Sequence, residues 1–333
     1  MKTIPLGGVG TQVSVLGIGA LSFTDFYGSV DEQQSHKILS TALDLGINHI
    51  DTSNVYGAGI SEVRIGSFLK TFGVKRHELF KIATKAGIAR FPEGGRYFDN
   101  SLKHLESELD GSLQRLGLEQ VELFYVHRRD PNTEIEEVTE SLVSLIKKGK
   151  INQFGFSEIS PASLVRASAV HPVAAVQSEY SLATRFPELG LVQRCLSLDT
   201  TLVAFSPVGR SLLTNNPHDV KKAGEIDFLK GNPRFMSPNL EKNILATEVF
   251  RQFANDMGYS AATVAIAWLL AKGPHILPIP GTRSSSRLIE LAKGTELNLT
   301  ESDILELESL LPVGWAHGDR YSLPQWVGPE RYS

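Results

Sequence analysis

A (β/α)8 TIM barrel is the fold this sequence predicts, on three observations. Eight apolar, often β-branched runs recur along the whole chain, each bounded by Gly, Pro or polar residues as buried parallel strands are. Amphipathic stretches of about ten to twenty residues lie between them, the length of crossover helices. The 333 residues are modestly more than the roughly 250 typical of such barrels. A doubly wound open sheet is the competing closure. It lacks its glycine fingerprint, because Gly17 and Gly19 supply only G-x-G after the first strand.

The elements follow in order. Residues 2–12 carry Pro5, Gly7, Gly8 and Gly10 and read as an N-terminal β-hairpin at the barrel floor. The eight strands are Val13–Gly19, Ile47–Ser53, Leu79–Lys85, Val121–His127, Ile151–Ser157, Val173–Ser178, Thr201–Ser206 and Ile276–Pro280. Apolar spacing near three and four predicts helices over Asp31–Leu45, Asn100–Leu116, Ile135–Lys148 and Pro161–Ala169. Residues 209–240, rich in Pro and Gly, read as a lid or binding loop. The tail from Pro312 holds Trp315, Tyr321, Trp326 and Tyr332, and either folds back over a pocket or packs on the outer helices. These long loops and the tail belong at the catalytic face. No composition shift marks a boundary, so residues 1–333 read as one domain.

Composition removes several classes of function. With 41% hydrophobic and 21% charged residues the chain is ordinary globular protein. Its 33 basic and 37 acidic residues leave a net charge of -4, which gives nucleic-acid binding no electrostatic support. The single cysteine, Cys195, allows neither an internal disulfide nor a cysteine-built zinc site. No H-E-x-x-H or comparable pattern calls for a catalytic metal. The longest apolar run, Val264–Ala271, is far too short to span a bilayer, and no leader sequence is evident. The expectation is a soluble, cytoplasmic protein.

Chemistry is expected at the carboxyl-terminal ends of the strands. Those ends place Asp51, Lys85 and His127 after the second, third and fourth strands, with Tyr56 in the loop beyond Asp51. A free tyrosine, with a pKa of about 10, is a poor acid near neutrality. An adjacent lysine ammonium stabilises the phenolate, and a carboxylate keeps that lysine charged where it is partly buried. A histidine can orient a substrate oxygen. Together these groups suit hydride reduction of a carbonyl. Taken singly, each has a plainer reading: Asp51 as a helix cap, Tyr56 as turn packing, Lys85 as a solvated head.

Asp51-Thr52-Ser53-Asn54-Val55-Tyr56-Gly57 resembles the D-T-A-x-x-Y-G segment of the aldo-keto reductases. Ile82-Ala83-Thr84-Lys85 and Phe124-Tyr125-Val126-His127 resemble the family's third- and fourth-strand motifs. The likeness runs along nearly the whole chain. It implies that Tyr56 is the general acid, that Lys85 tunes it, that Asp51 holds Lys85, and that His127 positions the carbonyl.

The resemblance extends to NADPH. Gly155-Phe156-Ser157-Glu158 is similar to the G-x-S-N/E segment, and Gln177 matches a partner of the nicotinamide carboxamide. Phe205-Ser206-Pro207-Val208-Gly209-Arg210 resembles the Y-S-P-L-G-R stretch that stacks on nicotinamide and wraps the pyrophosphate; Phe205 lacks the usual hydroxyl, and Ser211 stands where Gly is common. Gly281-Thr282-Arg283, before the last helix, resembles the site for the 2′-phosphate, with Arg287 one turn on and Glu290 matching an adenosine contact. A helix N-terminus with arginines suits a dianion, although two solvated surface arginines are the plain alternative. Leu291 replaces a common Asn. Gly19, Ala20, Leu21 and Asp51 complete the implied cofactor set.

Within the family the chain looks most like the branch containing pyridoxal reductases and related bacterial and plant reductases. Phe26, Tyr27, Tyr56, His127 and Arg128 are the expected substrate contacts, Arg128 being either a site for an anionic or hydroxylated substrate or a rim charge. The expected partner is a small-molecule carbonyl compound, with neither nucleic acid nor membrane. Two other readings compete: a cofactor-binding regulatory subunit of the potassium-channel β type, and an aldolase with Lys85 as Schiff-base nucleophile.

Overall fold

In the computed structural model, residues 1–8 and 10–332 are described. Strands β1 (Thr3–Pro5) and β2 (Gln12–Ser14) form an antiparallel hairpin. The barrel strands follow as β3 (Ile18–Gly19), β4 (His49–Asp51) and β5 (Lys81–Ala86). A second hairpin, β6 (Ile88–Arg90) and β7 (Arg96–Phe98), interrupts them. The barrel then resumes with β8 (Val121–Val126), β9 (Ile151–Ser157), β10 (Ala175–Glu179), β11 (Thr201–Phe205) and β12 (Ile276–Pro278). These eight pair in parallel in chain order, and Gly17 and Gly19 donate to the Pro278 and Pro280 carbonyls, closing the ring. The (β/α)8 prediction is met.

Local chemistry explains the helices. Asp31, Ser101, Ser160 and Ser260 cap Glu32–Asp44, Leu102–Leu116, Pro161–Val170 and Ala261–Ala271 by accepting a backbone N–H of the first turn. Each such cap stabilises its helix by about 1 kcal/mol. Gly117 ends the second of these at φ 68°, in the left-handed region that glycine tolerates.

Period-two alternation divides the core. Outward residues such as Ile82, Phe124, Val176 and Leu202 bury against the helices. Inward residues Ala83, Leu123, Tyr125, Ala175, Val203 and Leu277 fill the barrel, plugged from below by Leu6 and Val13. Gly155 is required here, because a Cβ would lie 2.7 Å from the Tyr125 ring and 2.4 Å from the Ala175 carbonyl.

Three expectations are corrected. Val13–Gly19 is not one strand: its start belongs to the floor hairpin, and the chain bends before β3. Residues 209–240, read as a lid or binding loop, do line a cavity but are not loop throughout. They fold into short helices around their own apolar cluster of Leu212, Ala223, Ile226, Leu229, Phe235 and Leu240. The helix Ser285–Ala292 is not the last, since Glu301–Leu310 follows it.

Candidate active site

The alternation that fills the barrel also aims the chemistry. One inward step above the apolar layer, β5 passes from Ala83 to Lys85, β10 from Ala175 to Gln177 and β11 from Val203 to Phe205. Asp51 ends β4, and His127 follows Tyr125 two residues on. Lys85 is fully buried, and its three protons are all used. It pairs with Asp51 Oδ1, donates to the Thr52 carbonyl at 2.8 Å, and donates to the Tyr56 hydroxyl at 3.3 Å. The other Asp51 oxygen accepts from Gln177 Nε2 at 2.7 Å. His127 Nδ1 lies 3.1 Å from Ser53 Oγ, and its ring stands edge-on to Tyr56 at 5.8 Å between centroids.

Burial pulls the Lys85 ammonium down, but Asp51 and Tyr56 more than restore it and hold it above its ordinary value. Tyr56 differs from the expectation that lysine lowers it overall. Desolvation raises the phenol, Lys85 lowers it, and burial wins. The phenol is therefore protonated at neutral pH. Burial, then Arg128, Lys85 and Arg96, push His127 well below the usual imidazole value, so it is neutral there.

A cavity of about 950 Å³ opens above these residues. Asp51, Tyr56 and His127 line it, as do Phe26, Tyr27 and Arg128. Ser157, Gln177, Phe205, Ser206, Pro207 and Val208 form its middle. Gly19 and Leu21 line it near Gly281 and Thr282, and Arg283, Arg287 and Glu290 stand at its far arm. His218 and Lys222 join that arm, where burial and the three neighbouring cations hold His218 below its ordinary value. Arg283 and Arg287 repel each other and pair with no carboxylate among the described residues. An unneutralised cationic end, an aromatic face at the centre and polar groups beside the tetrad of Asp51, Tyr56, Lys85 and His127 make a donor set that fits a phosphorylated nicotinamide dinucleotide.

The Aldo/keto reductase family profile matches residues 15–312. The chain belongs to the aldo/keto reductase family. It is an oxidoreductase. Aldo-keto reductase yakc [NADP(+)] of Schizosaccharomyces pombe is 35% identical over 96% of this chain and 95% of its own length. Probable aldo-keto reductase 1 of Glycine max is also 35% identical, over 96% of this chain and 92% of its own. Among solved structures, a glycerol dehydrogenase of Gluconobacter oxydans superposes with a TM-score of 0.81 at 26% identity, covering 99% of both chains. An aldo-keto reductase of Bacillus halodurans in its holo form shares the fold, with a TM-score of 0.77 at 24% identity over 98% of this chain and 99% of its own.

In this aldo/keto reductase some expected site residues stand off the cavity wall. Ala20 is fully buried behind it, and Gly209 is buried in the turn beneath it. Lys85 reaches the cavity only through Tyr56. Arg210 does line the cavity, while its guanidinium pairs with Glu179 at 2.6 Å and stacks on Phe228 and Tyr321. Arg210 and Ser211 take φ of 52° and 91°, so Ser211 adopts the glycine-like conformation that its position demands. Asp51 caps no helix; the neighbouring helix Ile60–Lys70 is preceded by Gly59.

Sequence reasoning missed other residues of the aldo/keto reductase site. Ser53 holds the His127 ring. Arg90 and Arg96 line the cavity from the second hairpin. The Gly94-Gly95 pair, at φ 99° and 86°, was the turn signal that could have found that hairpin. The tail folds over the pocket: Tyr321 and Gln325 line it, and Arg320 is buried on Glu158.

Proposed function

We propose that this chain reduces an aldehyde or ketone to the alcohol with NADPH, the four polar residues at the barrel rim serving as its catalytic set. The observation that carries the reading is the chain Asp51–Lys85–Tyr56, in which the fully buried Lys85 ties Asp51 to a phenol that lines the cavity. NADPH, when bound, supplies the hydride. Tyr56 gives its proton to the carbonyl oxygen, and the Lys85 ammonium stabilises the phenolate left behind. Asp51 keeps that ammonium in place, and Gln177 and the Thr52 carbonyl fix the pair from either side. His127, neutral and held through Nδ1 by Ser53, leaves Nε2 for the substrate oxygen.

Arg283 and Arg287, at the start of Ser285–Ala292, would hold the 2′-phosphate, and Phe205 would face the nicotinamide ring. Ser157 and Gln177, which line the same cavity, would bind the carboxamide. The regulatory reading keeps the same cavity but predicts no turnover, and no feature of the site favours it. A cytoplasmic location is the companion reading, resting on the lone cysteine; cell fractionation checks it.

Titrating the purified protein with NADPH and then NADH, following tryptophan fluorescence, tests the proposal. Tighter binding of NADPH and its oxidation on adding an aldehyde are expected. Binding without turnover on any aldehyde or ketone would favour the regulatory reading, and binding of neither nucleotide would overturn the cofactor assignment.

A further inference from the structure

We propose that the substrate of this site carries an anionic group, a carboxylate or a phosphate, besides its carbonyl, and that Arg90, Arg96 and Arg128 bind it. The inference rests on the reductase reading above and names its substrate class.

The three arginines line the same cavity as Tyr56 and His127. Arg128 follows His127 directly. One of its nitrogens donates to Ser157 Oγ at 3.1 Å and to the His127 carbonyl at 2.7 Å. Its remaining donors have no protein partner among the described residues. Arg96 gives one nitrogen to the Pro324 carbonyl at 2.7 Å, which ties the second hairpin to the tail. Among the described residues, no carboxylate lies within ion-pair distance of any of the three.

Arg90 stands directly opposite Arg96 across the β6–β7 ladder. Like charges facing each other in an antiparallel pair destabilise it, so this hairpin stays folded against its own electrostatics. Elsewhere the molecule neutralises several of its arginines: Arg166 lies between Glu134 and Glu136, and Arg185 between Glu188 and Glu308. The rim of the cavity does not.

The anions of the coenzyme do not account for this charge. Arg283, Arg287 and Lys222 form a separate cationic group near Gly28 and His218, where a Cβ on Gly28 would lie 2.7 Å from Arg283. Arg128, by contrast, packs under Gly328 and beside Phe98, on the hairpin side of the tetrad. The second group is thus left open to a second anion. His127 is neutral beside it, so the positive field at the substrate end comes from fixed charges that do not titrate below alkaline pH. Low-dielectric walls concentrate such a field on whatever occupies the cavity. Those walls are aromatic: Phe26 packs edge-on against Tyr27 at 4.9 Å and lies tilted against Phe228 at 5.3 Å. The site thus suits a compact anion with an apolar or planar body.

Two matched pairs test this at saturating NADPH: 4-carboxybenzaldehyde against methyl 4-formylbenzoate, and glyceraldehyde 3-phosphate against glyceraldehyde. The expected result is a preference in kcat/KM of about tenfold or more for the anionic member of at least one pair, the scale of a charge-assisted contact. The pair that shows it separates carboxylate from phosphate. Raising salt from about 0.05 to about 0.5 M should shrink the ratio, since exposed charges are screened. The ratio should fall toward one in the double variant Arg90→Gln, Arg96→Gln, and should persist in Arg96→Lys, which keeps the charge. Equal kcat/KM within both pairs, or a ratio indifferent to the double variant, overturns the inference while leaving the reductase reading standing. No turnover of any of the four compounds overturns that reading and this inference with it.

Discussion

The Tyr56 hydroxyl lies at the end of a proton-holding chain whose middle member, Lys85, is fully buried. Lys85 spends one proton on each of Asp51, the Thr52 carbonyl and Tyr56, so its orientation is fixed by three acceptors at once. Replacing the phenol removes the donor without disturbing the other two bonds. Tyr56→Phe is expected to bind NADPH with unchanged affinity while its kcat for aldehyde reduction falls by about 10²-fold or more. Stopped-flow turnover and fluorescence titration on the same sample check both halves, and a kcat within a few-fold of the parent would remove Tyr56 from the mechanism. The meeting of Asp51, Tyr56, Lys85 and His127 was legible in the sequence because they fall at or just beyond adjacent strand ends. The partner of Arg210 was not. A guanidinium beside a phosphate-binding motif suggests a phosphate, and only the fold reveals Glu179 buried 2.6 Å away.

At the scale of elements, the tail and the segment after β11 are fastened to the barrel by buried charge. Arg320 bridges Glu158 and Glu179, while Arg210 shares Glu179 and donates to the Arg320 carbonyl at 3.1 Å. Asn232 also donates to that carbonyl, at 2.6 Å. Removing one partner of such a buried pair leaves an uncompensated charge, at a cost of about 3–5 kcal/mol. Arg320→Leu is therefore expected to lower Tm by several degrees and to open the tail beyond Pro312 to limited proteolysis. The double variant Arg320→Leu, Glu158→Leu should recover part of that loss, which thermal melts and mass mapping of the fragments would register. Equal protease resistance in parent and single variant would show that the tail is held by its other contacts, such as Trp315 Nε1 on the Leu182 carbonyl. The aromatic content of the tail marked it as buried somewhere; the choice between pocket and outer helices depended on Arg320 finding acids on two different strands.

Across the whole molecule, buried histidines set how stability responds to acid. His49 is fully buried inside the barrel beside Asp51 and Lys85, and desolvation holds it below its ordinary value. His127 is held lower still. In the unfolded chain both titrate at about 6.5. Below that pH the unfolded state binds protons that the folded state refuses, so stability rises with pH through this window and is fully present above it. Tm should fall as pH is lowered from about 7.5 to about 5, each histidine contributing up to about 1.4 kcal/mol per pH unit. Glu158, which burial raises but Arg320 depresses further, adds its loss lower down, as pH falls through the ordinary carboxylate range and below. His49→Phe should flatten the upper part of this profile, and a slope unchanged by that substitution would place the acid sensitivity elsewhere.

The sequence by itself determined the barrel, its strand order, the tetrad and most of the cavity's middle, because these depend on local properties. Hydrophobic period gives the elements, strand ends give the rim, and side-chain type gives the chemistry there. Tertiary structure alone decided what depends on residues far apart in the chain. It brought Gly17 and Gly19 to Pro278 and Pro280 to close the ring, and it folded the segment after β11 around its own small core. It also let burial outweigh Lys85 at the Tyr56 phenol, and gathered Arg90, Arg96 and Arg128 at one rim. Burial and long-range charge are properties of the packed molecule, since each sums contributions from many elements, and no window of sequence contains that sum.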